Sequence, residues 1–326
     1  MRTRTKVWLI IATSFVLVGG IIFGGVMTML KWDFTKLSTA KYETNVYEIE
    51  KAFEDISIDT DTADITFLLS ENEKCVIKCY EEEKSKHYVA VEDSTLVIKV
   101  IDNKSWYDYI GINFGSPKIT VHLPKTEYNS LFINASTGDV DISEGFCFNN
   151  INISLSTGDI RAEKVSANGV NLSVSTGRID ISGAVCKEDI KITVSTGKAY
   201  LTDVKCKNLV SWGDTGDISL TSVIASEKLY LERDTGDITF EKCDASDICI
   251  KTSTGDVKGT LLTEKIFVAQ TSTGKIDVPK TVSGGRCEIT TSTGSIKISI
   301  LKESAKTDSF FLLTFACRND KITNDI

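Results

Sequence analysis

The sequence predicts an all-β fold: a β-solenoid of about nine to ten coils, each of 19–20 residues, preceded by one N-terminal transmembrane α-helix. Three observations predict it. The phrase Ser-Thr-Gly-Asp-Ile and its variants recur at a fixed period, an apolar/polar alternation follows each phrase, and an uncharged run occupies the N-terminus.

The phrase places glycines at Gly138, Gly158, Gly177, Gly197, Gly216, Gly236, Gly255, Gly274 and Gly294, at successive spacings of 20, 19, 20, 19, 20, 19, 19 and 20 residues. The residue before each is threonine. A glycine kept at a chain reversal points to a backbone position with φ > 0. Two residues after it comes an apolar side chain every time (Val140, Ile160, Ile179, Ala199, Ile218, Ile238, Val257, Ile276, Ile296), and the residues between are largely polar. That alternation is a strand with one buried face. A second strand leads up to the next glycine, as in 170–174 and 190–194. Stacked at strand spacing, nine such coils make a rod roughly 40 Å long.

The cysteines fall into this frame. Nine residues after the first six glycines stand Cys147, Ala167, Cys186, Cys206, Ala225 and Ala245, and seven after stand Val165, Ala184, Val204, Val223, Cys243 and Leu262. Both columns read as core positions that a small thiol fills. Alanine interchanges with cysteine and the total of nine cysteines is odd, which favours packing; a Cys186–Cys206 bridge between adjacent coils is the alternative.

In chain order, residues 1–6 carry Arg2, Arg4 and Lys6 and read as a cytoplasmic N-terminus. Residues 7–30 are an uncharged signal-anchor stretch; a bilayer core needs about 20 such residues. Lys31 and Lys36 follow it, so the excess of positive charge puts the N-terminus inside and the remainder outside. The lipid bilayer is thus the first expected partner, and Gly20 and Gly24 offer a helix–helix contact for a homo-oligomer. Residues 31–50 read as a tether. Residues 51–130 read as an irregular β-rich N-terminal capping region, in which 61–67 match 234–240 at six of seven places, with Ala63 for glycine. Within it, Trp106, Tyr107, Tyr109, Ile110 and Phe114 form an aromatic loop. It plugs the end of the stack in the preferred reading, or offers a surface to a glycan or protein. Residues 131–300 are the regular repeats. Residues 301–326, with an apolar run at 310–317, are a C-terminal cap or tail too short to span a membrane.

The chain has a formal net charge of −8, which argues against a nucleic-acid partner. His87 and His122 stand apart, without metal-ligand spacing, and no phosphate loop, nucleophile elbow or dinucleotide fingerprint occurs. Catalytic residues and organic cofactors are therefore not assigned, and the protein is expected not to be an enzyme. One acidic group stands out. Asp214, Asp217, Asp234 and Asp237 flank two neighbouring turns, a donor set suited to Ca²⁺ or, by analogy, to a polysaccharide-acting β-helix enzyme. The plainer reading is that aspartates beside a tight turn bond the backbone and face water.

The anchor, the segment Lys118-Ile119-Thr120-Val121-His122-Leu123-Pro124 leading into the first full repeat, and the serial Ser-Thr-Gly-Asp phrases together resemble a bacterial domain-of-unknown-function family, the "putative adhesin" family with β-strand repeats, which includes LiaG-like membrane-anchored proteins. The resemblance covers roughly 50–300. It implies an extracytoplasmic solenoid on the cell envelope with an adhesin-like or envelope-stress role and no shared catalytic residues, while the repeated flat sheets themselves suit an envelope polymer or membrane protein as partner. The cysteines and the apolar tail depart from that pattern. A self-assembling membrane-tethered scaffold, joined end to end through open coils, is the remaining alternative.

Overall fold

The structure is a computed structural model that describes residues 3–37, 40–72, 74–109, 115–124 and 127–301. Helix α1 (Thr3–Met29) contains the apolar span Lys6–Met29, 24 residues of mean hydropathy 2.4, long and apolar enough to cross a membrane. Most side chains of the apolar span stand exposed, Trp8 and Phe15 among them, while Met27 near its end is buried.

Beyond the helix the chain is a parallel β-solenoid. The first regular coil is built from β8 (Glu127–Thr137) and β9 (Val140–Ile142), joined at Gly138. Coil lies on coil in register. Ile133 pairs with Ile153, Ile153 with Leu172 and Leu172 with Ile192, and all four are buried. A slip of one residue would turn this whole set out to solvent, so the apolar column fixes the register.

The Thr-Gly corner sets the coil repeat. Gly216 has φ +123°, and a Cβ there would sit 1.7 Å from the carbonyl oxygen of Gly197 on the coil below. Both the left-handed conformation and the backbone contact exclude a side chain. The same approach links Gly138 to Ala63 at 2.0 Å, so residues around Ala63 form a coil beneath the first regular one. Ala63 has no positive φ, and its methyl is buried.

Sequence order and stacking order part company at both ends. At the N-terminal end lie β1 (Tyr42–Ile49), β2 (Asp55–Thr62), β3 (Asp64–Leu69), β4 (Cys75–Glu82), β5 (Ser85–Glu92), β6 (Thr95–Asp102) and β7 (Lys118–Leu123). β2 lies between β8 and β6, and β3 between β9 and β7, all parallel. The outermost coil is therefore β6–β7, although it follows β2–β3 in the chain. Antiparallel strands close it: β4 joins β7 to β1, and β5 covers β6. Turning the edge antiparallel hides the backbone groups that a bare coil presents. The stretch read as a tether thus contributes β1 to this cap.

At the far end the final coil is interleaved. Gly285–Thr293 pairs with the long strand Ile238–Thr254 on one side and with Lys265–Thr273 on the other. A Cβ at Gly294 would meet Gly255, and one at Gly274 would meet Gly294. The coil around Gly274 is thus the last layer, ahead of Gly294 in sequence but outside it in space. Ile276 shows the consequence. Its counterparts from Val140 to Ile296 are fully buried, whereas Ile276 is 42% exposed. The apolar tail at 310–317, expected to be a cap or tail, lies outside the described residues.

Two core expectations need correction. The structure aligns Phe148, not Cys147, with Ala167 and Cys186, and Cys147 pairs with Ser166. Residues 143–146 lead into this strand with Phe146 buried, and the strand enters one place out of step. Similarly, an irregularity between Phe240 and Cys243 brings Leu261 opposite Cys243 and leaves Leu262 exposed.

Candidate functional site

The aspartates after the corner glycines form a ladder. Asp159 donates its backbone N–H to Asp139 Oδ1 at 2.9 Å, Asp237 to Asp217 Oδ1 at 3.1 Å, Asp256 to Asp237 Oδ1 at 2.8 Å, and Ser295 to Asp256 Oδ1 at 2.8 Å. Each carboxylate accepts the amide of the same position one coil up. The last of these rungs skips a repeat in sequence, because the Gly294 coil lies directly on the Gly255 coil. Lys198 lies 2.9 Å from Asp217, and that ammonium, with the Asp237 amide, holds the Asp217 carboxyl below its ordinary range. Lys258 and the Ser295 amide do the same for Asp256.

Of the four candidate Ca²⁺ ligands, Asp217 and Asp237 therefore have backbone partners, and Asp214 and Asp234 are exposed beside them. Among the described residues, three or more His, Cys, Asp or Glu donors lie within 4.8 Å of one another only at Cys79, Glu81 and His87. Sequence reading missed that group because its members sit on β4 and β5 with no motif spacing. His87, read as isolated, contacts Glu81.

The described part of the aromatic loop, Trp106–Tyr109, does not plug the stack, and Ile110 and Phe114 lie outside the described residues. Trp106–Tyr109 form a 3-10 turn on the cap surface, with Trp106 77%, Tyr107 57% and Tyr109 63% exposed. Charges hold it there. Lys84 pairs with Asp108, Lys104 lies 2.7 Å from Glu82, and the Tyr109 hydroxyl donates to Asp102. The Lys104 ammonium is 5.4 Å from the Tyr109 ring centroid, and that of Lys84 is 5.8 Å from Tyr107, within cation–π range. Beside the turn is a cleft of about 280 Å³ between Lys41, Glu82–Lys84 and Tyr107–Asp108. Rings with one open face beside paired charges suit a sugar face or a polar polymer.

A second polar surface lies on the broad face of the stack. Asn150, Asn152, Asn171, Asp189 and Lys191 line an open groove of about 500 Å³, deepened where Gly169 lacks a side chain. The amides run in ladders: Asn171 donates to Asn152 Oδ1 at 3.1 Å, and Asn208 to Asp189 at 2.8 Å. Trp212 stands half exposed on the same face, aligned with Thr193 of the neighbouring coil.

Cys186 and Cys206, the pair considered for a bridge, are free thiols. Cys186 Sγ donates to Asn168 O at 2.9 Å. Burial pushes the Cys186 thiol up to about 11 and Cys206 to about 12, so both stay protonated and unreactive at neutral pH.

A parallel solenoid with Thr-Gly corners and broad polar faces defines a β-repeat protein. The chain belongs to the Toastrack DUF4097 family, whose pattern matches residues 53–211 and again 187–309. None of the curated proteins matches it. Solved structures similar to it include a putative adhesin of Bacteroides fragilis, 18% identical with TM-score 0.44, the match covering 79% of this chain and 97% of that one. A putative adhesin of Parabacteroides distasonis is 9% identical with TM-score 0.42, over 80% and 98% of the two chains. A putative lipid binding protein of Parabacteroides distasonis is 14% identical with TM-score 0.41, over 80% and 98%.

Proposed function

We propose that this is a non-enzymatic, single-pass membrane protein that holds its solenoid outside the cytoplasmic membrane of a bacterium as a binding or structural surface of the envelope. The carrying observation is the pairing of an exposed apolar helix of membrane-spanning length with a rigid stack whose cap presents open aromatic rings. Arg2, Arg4 and Lys6 ahead of the uncharged stretch 7–30 support an N-in orientation. The aromatic turn and the amide-lined groove support an envelope polymer or a membrane-protein partner. Protease treatment of wall-stripped cells carrying a tag after Ile326 tests the orientation. Loss of the tag from intact cells is expected; a tag protected until the membrane is lysed overturns the reading.

One observation favours a second reading, end-to-end self-assembly. The last coil leaves Ile266, Val268 and Ile276 exposed along an edge strand with no further coil among the described residues. Concentration-dependent sedimentation of the full-length protein in detergent, abolished by Val268→Lys, would support it. A species of constant mass over the concentration range would dismiss it.

A further inference from the structure

Four strands of the N-terminal cap converge on one buried polar cluster. Alternation along β4 sends Cys75, Ile77, Cys79 and Glu81 to its inner face. His87 of β5 and Thr60 of β2 are buried with them, with Cys79 and Glu81 at 0% and Thr60 and His87 at 4% exposure. Glu81 Oε2 accepts the backbone N–H of His87 at 2.6 Å and lies 2.7 Å from His87 Nδ1. Asn45 of β1 donates to Glu81 Oε1 at 2.7 Å, and Thr60 Oγ1 is 3.0 Å from His87 Nε2.

We propose that Cys79, Glu81 and His87 bind a zinc ion that locks the cap. One donor atom from each residue lies within 4.8 Å of the others. Thiolate, imidazole and carboxylate are the three donor types that zinc takes. The supporting contacts are already those of a metal site, in which each ligand's remaining atom is held by another residue. Thr60 takes Nε2 of His87, which leaves Nδ1 for the ion. Asn45 takes Oε1 of Glu81, which leaves the second lone pair of Oε2, beside the one that accepts the His87 backbone N–H. Nδ1 and Oε2 face each other at 2.7 Å beside the Cys79 sulfur, and the ion would replace the hydrogen bond between them.

The charges also balance. Binding releases the thiol proton of Cys79 and places the one ring proton of His87 on Nε2, where Thr60 Oγ1 accepts it, so a doubly positive ion meets two anionic ligands and a neutral ring. A carboxylate buried in an apolar interior then has a full counter-charge. Three protein ligands leave one position of the tetrahedron open. The ion ties β4 to β5 directly, and through Thr60 and Asn45 it ties both to β2 and β1.

The test uses the full-length chain purified in mild detergent without chelator. Elemental analysis is expected to find about one zinc per chain, and cobalt in its place is expected to give thiolate charge-transfer absorption. Cys79→Ser is expected to abolish that absorption, His87→Gln to lower the bound metal at least tenfold, and Cys75→Ser to leave both unchanged. Wild-type protein that binds neither zinc nor cobalt overturns the proposal, even if the variants fail to fold. So does cobalt absorption that survives Cys79→Ser; the cluster is then a hydrogen-bonded His87–Glu81 pair alone.

Discussion

Arg233 packs against Gly213, whose missing side chain lets that glycine lie over the Val194 carbonyl. The two occupy the same inward position on consecutive coils, and a Cβ on Gly213 would come within 3.2 Å of Arg233 Nη1. The guanidinium is 1% exposed. Nη1 donates to Glu232 O at 2.9 Å, Nη2 is 3.5 Å from Ser211 Oγ, and Nε has no partner. Burial pulls its pKa down to about 10, against the pull of Asp214 and Asp217. The unfolded chain therefore binds the proton more tightly, and this group costs stability at every pH below about 10. Replacing a buried, incompletely bonded charge by an apolar side chain of similar length is neutral or stabilising by about 1–4 kcal/mol. Arg233→Met is expected to raise the thermal midpoint; a clear fall in calorimetry would give the guanidinium a structural role.

Gly216→Ala should be among the most damaging single substitutions in the stack. The new methyl meets the Gly197 carbonyl at 1.7 Å, with φ at +123°. Urea unfolding is expected to show a loss above about 3 kcal/mol, since strain and a backbone clash add. Ala63→Gly, at the corner without positive φ, should cost only about 0.5–1 kcal/mol.

The aspartate ladder predicts an acid limit. Asp217 and Asp256 have carboxyl pKa values held below the ordinary range by Lys198 and Lys258, respectively. Their contribution is fully present above the unfolded carboxylate value, about pH 3.9, and is lost as the pH falls through the depressed folded value. Acid unfolding of Asp217→Asn is expected to depend less steeply on pH below about 4 than that of wild type. An unchanged profile would remove this carboxylate from the balance.

The same ladder bears on calcium. Because Asp217 and Asp237 already accept backbone amides, thermal unfolding is expected to be insensitive to added Ca²⁺. A midpoint that rises with Ca²⁺ in wild type but not in Asp214→Asn/Asp234→Asn would assign those turns to cation binding instead.

Thiol accessibility gives a fifth check. Cys186, Cys206, Cys243 and Cys287 are buried, with thiols pushed up to between about 11 and about 12. A chromogenic disulfide reagent at neutral pH should leave them unmodified in the folded protein and label them promptly in denaturant. Rapid labelling of native protein would mean that the stack opens.

The coil period, the corner glycines and the inward apolar positions were all legible in the sequence, because each is a local pattern repeated many times. The order of the coils was not. The coils around Gly274 and Gly294 carry the same alternation as their neighbours, so either stacks equally well on Gly255 by pattern alone. Cys147 and Leu262 were misplaced for a related reason: one extra residue at a turn shifts a whole strand without altering its composition. The exposed aromatic turn reads as core by residue type, and only its ties to Lys84, Lys104 and Asp102 hold it outside. The cluster around His87 is invisible in sequence because Thr60, Cys79, Glu81 and His87 come from three strands.

The interleaved final coil gives assembly a deadline. A chain that emerges from its N-terminus can add coils one by one only as far as Gly255. The segment around Gly274 has no permanent seat until Gly285–Ile300 has arrived to lie beneath it. Closure of the stack thus waits for nearly the last repeat to be made. Internal repeats could be deleted in whole units with only a shorter rod as the result. A truncation before Gly285 would leave the preceding coil misdocked or adrift, a built-in report that synthesis stopped early.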